Sequence, residues 1–142
     1  MKKEAWLYYK NWARNTNSHF HPKLGRILIN RMGWKHITRK GRANHRILAS
    51  WLLLPAAKEI INNVENYQKL GNRIESCFHK KDGRVLVRDY LALKASVSFN
   101  YRDTSIVQVI LKRDRLYNIE GDVINTKIWF YSVFELRRGE LQ

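Results

Sequence analysis

Between Glu4 and Glu59 the chain carries no acidic residue at all, while eleven Lys or Arg side chains fall in that span. A surface with that much charge of one sign repels itself, so the missing carboxylates point to a polyanionic partner, either nucleic acid or an anionic membrane surface. From residue 59 onward fourteen basic residues meet eleven acidic ones, and the whole chain has a net charge of +15 with a pI near 10.3. The asymmetry assigns that partner mainly to the N-terminal half.

Long apolar runs are missing too. The longest, residues 51–57, is broken by Pro55 and falls far short of the roughly 20 residues that a spanning helix needs, so no membrane span is expected. The first residues are basic at Lys2 and Lys3 but lack the apolar middle of a signal peptide. Cysteine occurs once, at Cys77, which excludes an internal disulfide, suits a reducing cytosol and is expected to be an ordinary buried or half-buried thiol. His19 and His21 have no cysteine or second histidine pair at a zinc spacing, so neither a metal nor another cofactor is expected.

What is present reads as one globular domain over residues 1–142, with 44% hydrophobic and 12% aromatic residues. Trp6, Tyr9 and Ala13 predict a helix over 4–15, and Ile27, Leu28 and Met32 predict a second over 24–32, ended by Gly33. Ile47, Leu48, Trp51, Leu52 and Leu54 start a further helix that Pro55 kinks or restarts, and its period continues through Ile60, Ile61 and Val64 to about Leu70. From Ile74 the pattern becomes strand-like. Lys81-Asp82-Gly83-Arg84 is a hairpin signal, followed by strands predicted over 84–90, 91–99, 105–112 and 127–135, with turns at 100–103, 113–115 and 120–122. A helical half (4–70) before a sheet half (74–136) predicts an α+β fold, with the helices packed on one face of a roughly four-stranded antiparallel sheet.

Residues 33–46 concentrate the chemistry: two imidazoles and five Lys or Arg side chains in fourteen residues. Cutting RNA without a metal needs a base for the 2′-OH, an acid for the 5′-oxygen, and cations around the phosphorane. His36 is the candidate acid or base, against the plainer reading of a solvated or capping histidine before a helix. His45 is a candidate second proton carrier or a helix-surface histidine. Arg39, Arg42 and Arg46 are candidate phosphate contacts because guanidinium forks match phosphate oxygens, and Lys94 and Lys112 are candidate cations on the sheet. Trp129 and Tyr131 could stack on splayed bases or simply pack. Strict alternation places them opposite Ile128, Phe130, Ser132 and Phe134, which could be the core face.

Gly33-Trp34-Lys35-His36-Ile37 ahead of a helix, the apolar run ending at Pro55, and a last strand reading Ile128-Trp129-Phe130-Tyr131-Ser132-Val133-Phe134 together resemble the ribonuclease toxins of the barnase, EndoU, colicin D and RelE class. The resemblance covers residues 30–136 and implies N-terminal helices on a four-stranded antiparallel sheet. It makes His36 the general acid or base, Lys35 a stabiliser of phosphate charge, and Ser132 a donor to the scissile phosphate. It further implies a metal-independent endoribonuclease that cleaves tRNA to a 2′,3′-cyclic phosphate in the cytoplasm of a target cell, as in contact-dependent inhibition, and a cognate acidic immunity protein. A non-catalytic basic RNA- or DNA-binding domain is the alternative from another class. A peripheral membrane anchor made by the basic helices is the third reading.

Overall fold

The computed structural model of the chain describes residues 2–71, 75–100 and 102–136. Ile74, the expected start of the strand half, and Tyr101, inside an expected turn, lie outside the described residues. The first helix, α1 (Lys2–Arg14), buries Ala5, Tyr9 and Trp12 at helical spacing. A short 3-10 turn (Thr16–Ser18) leads into a two-stranded ribbon, β1 (Phe20–His21) with β2 (Gly25–Arg26). His19 and His21 are core groups here. His19 Nε2 meets the Trp12 carbonyl, while His21 Nδ1 accepts from the backbone of Lys23 and Leu24 and Nε2 faces the Val64 carbonyl at 2.6 Å. Burial holds the His21 imidazole below its ordinary pKa.

The helix expected over 24–32 does not form. Ile27 and Ile29 are buried on alternate positions, and Leu28 makes a parallel bridge to the last strand, its N–H donating to the Ile128 carbonyl at 2.7 Å while Phe130 N–H donates back to it at 3.0 Å. Three consecutive apolar residues, two of them β-branched, gain more from this edge pairing than from a helix that would turn one of them to water. The helix begins later, as α2 (Arg31–Ile37), capped by Asn30 accepting from the Met32 amide. Gly33 is thus inside a helix rather than at its end.

Two helices follow, α3 (Asn44–Leu52) and α4 (Leu54–Asn63), with Pro55 in the first turn of α4, where its missing N–H is not needed. α4 stops at Asn63 rather than near Leu70, because the chain turns extended at Val64 and pairs as β3 (Gln68–Lys69). The main sheet then comprises β3, β4 (Ser76–His79), β5 (Val85–Phe99), β6 (Arg102–Tyr117) and β7 (Val123–Glu135), all antiparallel, in the order β3-β5-β6-β7 with β4 also on β5. The Asp-Gly hairpin joins β4 to β5 as expected, Gly83 taking φ +89°.

The fold is α+β with its helices N-terminal, and among the described residues the main sheet has five strands where roughly four were expected. Val85–Phe99 form one strand instead of two, and 113–115 are strand rather than turn. Cross-strand ion pairs are the reason: Arg113 grips the buried Asp89 with two hydrogen bonds at 2.9 and 2.6 Å, Arg115 adds a third, and on the opposite face Arg88 holds Asp114 at 2.8 and 2.9 Å. Burial alone would raise the Asp89 carboxyl, but the hydrogen bonds and charges of Arg113, with Arg115 and Lys69, leave it below its ordinary range. On one face Leu91, Leu93, Val107, Val109, Leu111, Ile128, Phe130 and Val133 close the core against Tyr9, Trp12, Leu54, Ala57, Ile60 and Ile61. Cys77 sits on β4 and is exposed, not buried. No helix among the described residues is long and apolar enough to cross a membrane.

Candidate active site

The strand register sorts the polar side chains. Tyr90 pairs with Lys112 and Lys112 with Trp129, Arg88 pairs with Asp114, and Ala92, Ile110 and Ser132 form the adjacent row. Because paired residues share a face, Arg88, Tyr90, Lys112, Asp114 and Trp129 all stand on the side turned away from α4.

A bulge at Tyr131 sets the last strand. Phe130 pairs with Leu111 and Ser132 with Ile110, so Tyr131 is the extra residue between them. Ser132 is thereby moved off the core face expected from strict alternation and onto the face of Trp129, while Phe130, Ile128 and Val133 keep the core. Ser132 nevertheless remains only 5% exposed.

α2 lies along this edge. A Cβ on Gly33 would come within 2.7 Å of the Phe130 ring, the Phe130 carbonyl and the Tyr9 hydroxyl, so only glycine lets the helix lie this close to β7. With Gly33 and Ile37 turned to the core, Met32 and His36, one turn apart, come together over the polar face. The His36 imidazole stacks on Tyr131 with ring centroids 3.7 Å apart and 25° between planes, and Tyr131 in turn meets Tyr90 at 5.2 Å. Lys112 Nζ lies 3.7 Å from Met32 Sδ and 5.7 Å from the Trp129 ring. Burial, with the charge of Arg88 added, pulls the Lys112 ammonium below the usual lysine range against a smaller opposing effect of Asp114.

Arg39 closes the cluster from the other side, Nη1 donating to the His36 carbonyl at 2.9 Å and to His36 Nε2 at 3.3 Å. A guanidinium can only donate, so this contact is made when the His36 imidazole is neutral with its proton on Nδ1. The neutral ring is the form that can take a proton.

The other expected residues divide. Trp129, Tyr131 and Lys112 join the cluster with His36 and Arg39. Lys35 is exposed and stands about 100° around α2 from His36, in none of the contacts that build the cluster. Arg42 is half-buried and tied down, donating to the Ile37 carbonyl at 2.6 Å and to Ser50 Oγ at 2.9 Å, while Ser50 donates to the Val133 carbonyl at 3.1 Å. It locks the loop after α2 to α3 and β7. Its guanidinium is shifted down by burial and then by the charges of Arg39 and Arg46, which shows how concentrated the positive field is here. Arg46 and His45 are exposed on the first turn of α3. Lys94 is exposed on the cluster's face but four residues beyond Tyr90, about 13 Å along β5 at ~3.3 Å per residue.

Sequence reasoning missed Arg88, Tyr90, Asp114 and Met32. The alternation of Arg88, Tyr90 and Lys94 was visible, but a strand break placed after Tyr90 hid their common face. Nothing local could pair Tyr90 with Lys112 or bring Met32 to it. No protein-family model, curated protein or solved structure matches the chain.

Proposed function

We propose that the protein is a metal-independent endoribonuclease, with the cluster of His36, Tyr131, Tyr90, Lys112 and Arg88 as its active site. The observation that carries this reading is the His36 imidazole held on Tyr131 at 3.7 Å beside Arg39, one helical turn from Met32, which Lys112 Nζ reaches at 3.7 Å. A perturbed amine beside a positioned imidazole is the arrangement that proton transfer uses. His36 exchanges the Arg39 N–H for the ribose 2′-OH and takes its proton. The 2′-oxygen then bonds to phosphorus, the bond to the 5′-oxygen breaks, and Lys112 returns a proton to that leaving oxygen. Arg39, Lys112 and Arg88 offset the charge of the phosphorane. Trp129 offers an aromatic face to a base. In this scheme Ser132 shapes the floor rather than donating to the phosphate, since it is buried in the row behind the cluster.

tRNA as substrate, a role as a delivered or phage-type toxin and a cognate acidic immunity protein are proposed on the sequence resemblance. An acidic inhibitor would find its complement in the eleven cations between Glu4 and Glu59. The test is incubation with total tRNA in EDTA, alongside the His36→Ala protein. Discrete fragments ending in cyclic phosphate from the unaltered protein, reduced roughly 10²- to 10⁴-fold in rate by the substitution, are expected. RNA retarded equally by both proteins but left intact would replace the enzyme with a nucleic-acid-binding domain.

A further inference from the structure

On the other side of α2 from His36, the indoles of Trp6 and Trp34 line a cleft of about 470 Å³ together with Lys2 and Lys3. The two rings meet at 5.1 Å, and Trp34 is backed by Tyr9 at 5.6 Å and by Trp51, stacked parallel at 6.0 Å with 8° between planes. These aromatic faces are therefore rigid, half-exposed and unlike an ordinary core edge.

The three consecutive residues of α2 point to three places. Trp34 faces the cleft, His36 faces the sheet cluster, and Lys35 lies between them on the exposed ridge, with Arg31 one turn earlier and also exposed. Cations thus run from the cleft, at Lys2 and Lys3, across the helix at Arg31 and Lys35, to Arg39 beside His36. The cleft's lining contains no carboxylate.

We propose that this cleft is a second binding subsite, taking an unpaired nucleobase of the RNA whose backbone crosses α2 from the cluster. The base stacks on the indoles of Trp6 and Trp34, and its flanking phosphates meet Lys2, Lys3, Arg31 and Lys35. The ligand chemistry follows from the lining: flat aromatic faces select a π-system, and the surrounding ammonium and guanidinium groups select an anion attached to it. A duplex is excluded because its bases are not free to stack on a side chain. The assignment rests on RNA being the ligand, and it gives the exposed Lys35 a place that the cluster does not.

The test uses full-length protein carrying His36→Ala, so that the strand stays intact, and measures binding of single-stranded RNA. Trp6→Leu, which keeps apolar bulk but removes the π face, is expected to weaken binding by about 5- to 150-fold. The double variant Arg31→Glu, Lys35→Glu, on exposed positions, is expected to flatten the salt dependence by about two units of slope. Photo-crosslinking of bromouridine RNA to the otherwise unaltered protein is expected to label Trp6 or Trp34, and it decides the matter should Trp6→Leu fail to fold. Affinity unchanged by Trp6→Leu in a folded protein, or crosslinks confined to the sheet, would overturn the subsite. Crosslinks in the cleft of this protein, together with RNA left uncut by the protein that retains His36, would keep the subsite while removing the nuclease reading.

Discussion

Replacing Gly33 by Ala tests how tightly α2 is seated and whether its seating matters to the site. Taken alone, the substitution should stabilise a helix interior by about 1 kcal/mol. Against that, the new methyl would meet three groups at 2.7 Å: the Phe130 ring, the Phe130 carbonyl and the Tyr9 hydroxyl. None of them yields easily. The carbonyl is backbone that receives no slack from β7, Phe130 is fully buried, and the Tyr9 hydroxyl donates to the Asn30 carbonyl at the helix cap. Relief must come from lifting α2 off the strand, which belongs at the upper end of overpacking costs, about 3 kcal/mol. The difference leaves a net loss of about 2 kcal/mol. With a urea m-value of about 2 kcal/mol/M, the unfolding midpoint should fall by about 1 M. The same displacement carries His36 off Tyr131, so cleavage by the folded variant should fall as well. A midpoint equal to or above that of the parent would refute this account of the packing.

Arg42→Ala should cost about 1–3 kcal/mol, and in combination with Ser50→Ala the losses should not add, because the two side chains form one chain of hydrogen bonds to Val133; additive losses in urea melts would contradict the linkage. Asp89→Asn, which strands Arg113 and Arg115, should destabilise by about 3 kcal/mol, whereas a change within ~0.5 kcal/mol would mean that the network contributes little. Because the Asp89 carboxyl is lowered on folding, its contribution is complete above the unfolded carboxylate value of about 3.9 and is lost as pH falls through the lower folded value. Stability of the parent should therefore drop more steeply than that of Asp89→Asn on acidification below about pH 4, and parallel curves would exclude the effect. Exposed Cys77 should react fully with a thiol reagent in the native state, and protection until unfolding would contradict its placement on β4.

Much of the architecture was legible in local pattern. The apolar period of α1, the restart at Pro55 and the Asp-Gly hairpin all follow from short-range rules, and the helix-then-strand order gave the α+β class. The failures share a cause. Ile27, Leu28 and Met32 have helical spacing on paper, yet residues 27–29 become extended because the edge of β7 pairs with Leu28. Asp114 likewise looked like turn material, and the strand holding Asp89 was ended at Tyr90, until the cross-strand arginine pairs made both carboxylates part of one ladder.

The sequence by itself determined that the N-terminal half is a polycation, that His36 lies within it, and that aromatic residues fill the last strand, since charge and composition need no coordinates. Only the tertiary structure decided which of these residues meet. The bulge at Tyr131 reversed the face of Ser132, and the close seat of Gly33 brought His36 and Met32 over Tyr131 and Lys112, while Arg42 was drawn inward and Lys35 was left on the outer ridge of α2. Such choices depend on strand register and on one missing side chain, both fixed by groups far away along the chain, and no local periodicity encodes them.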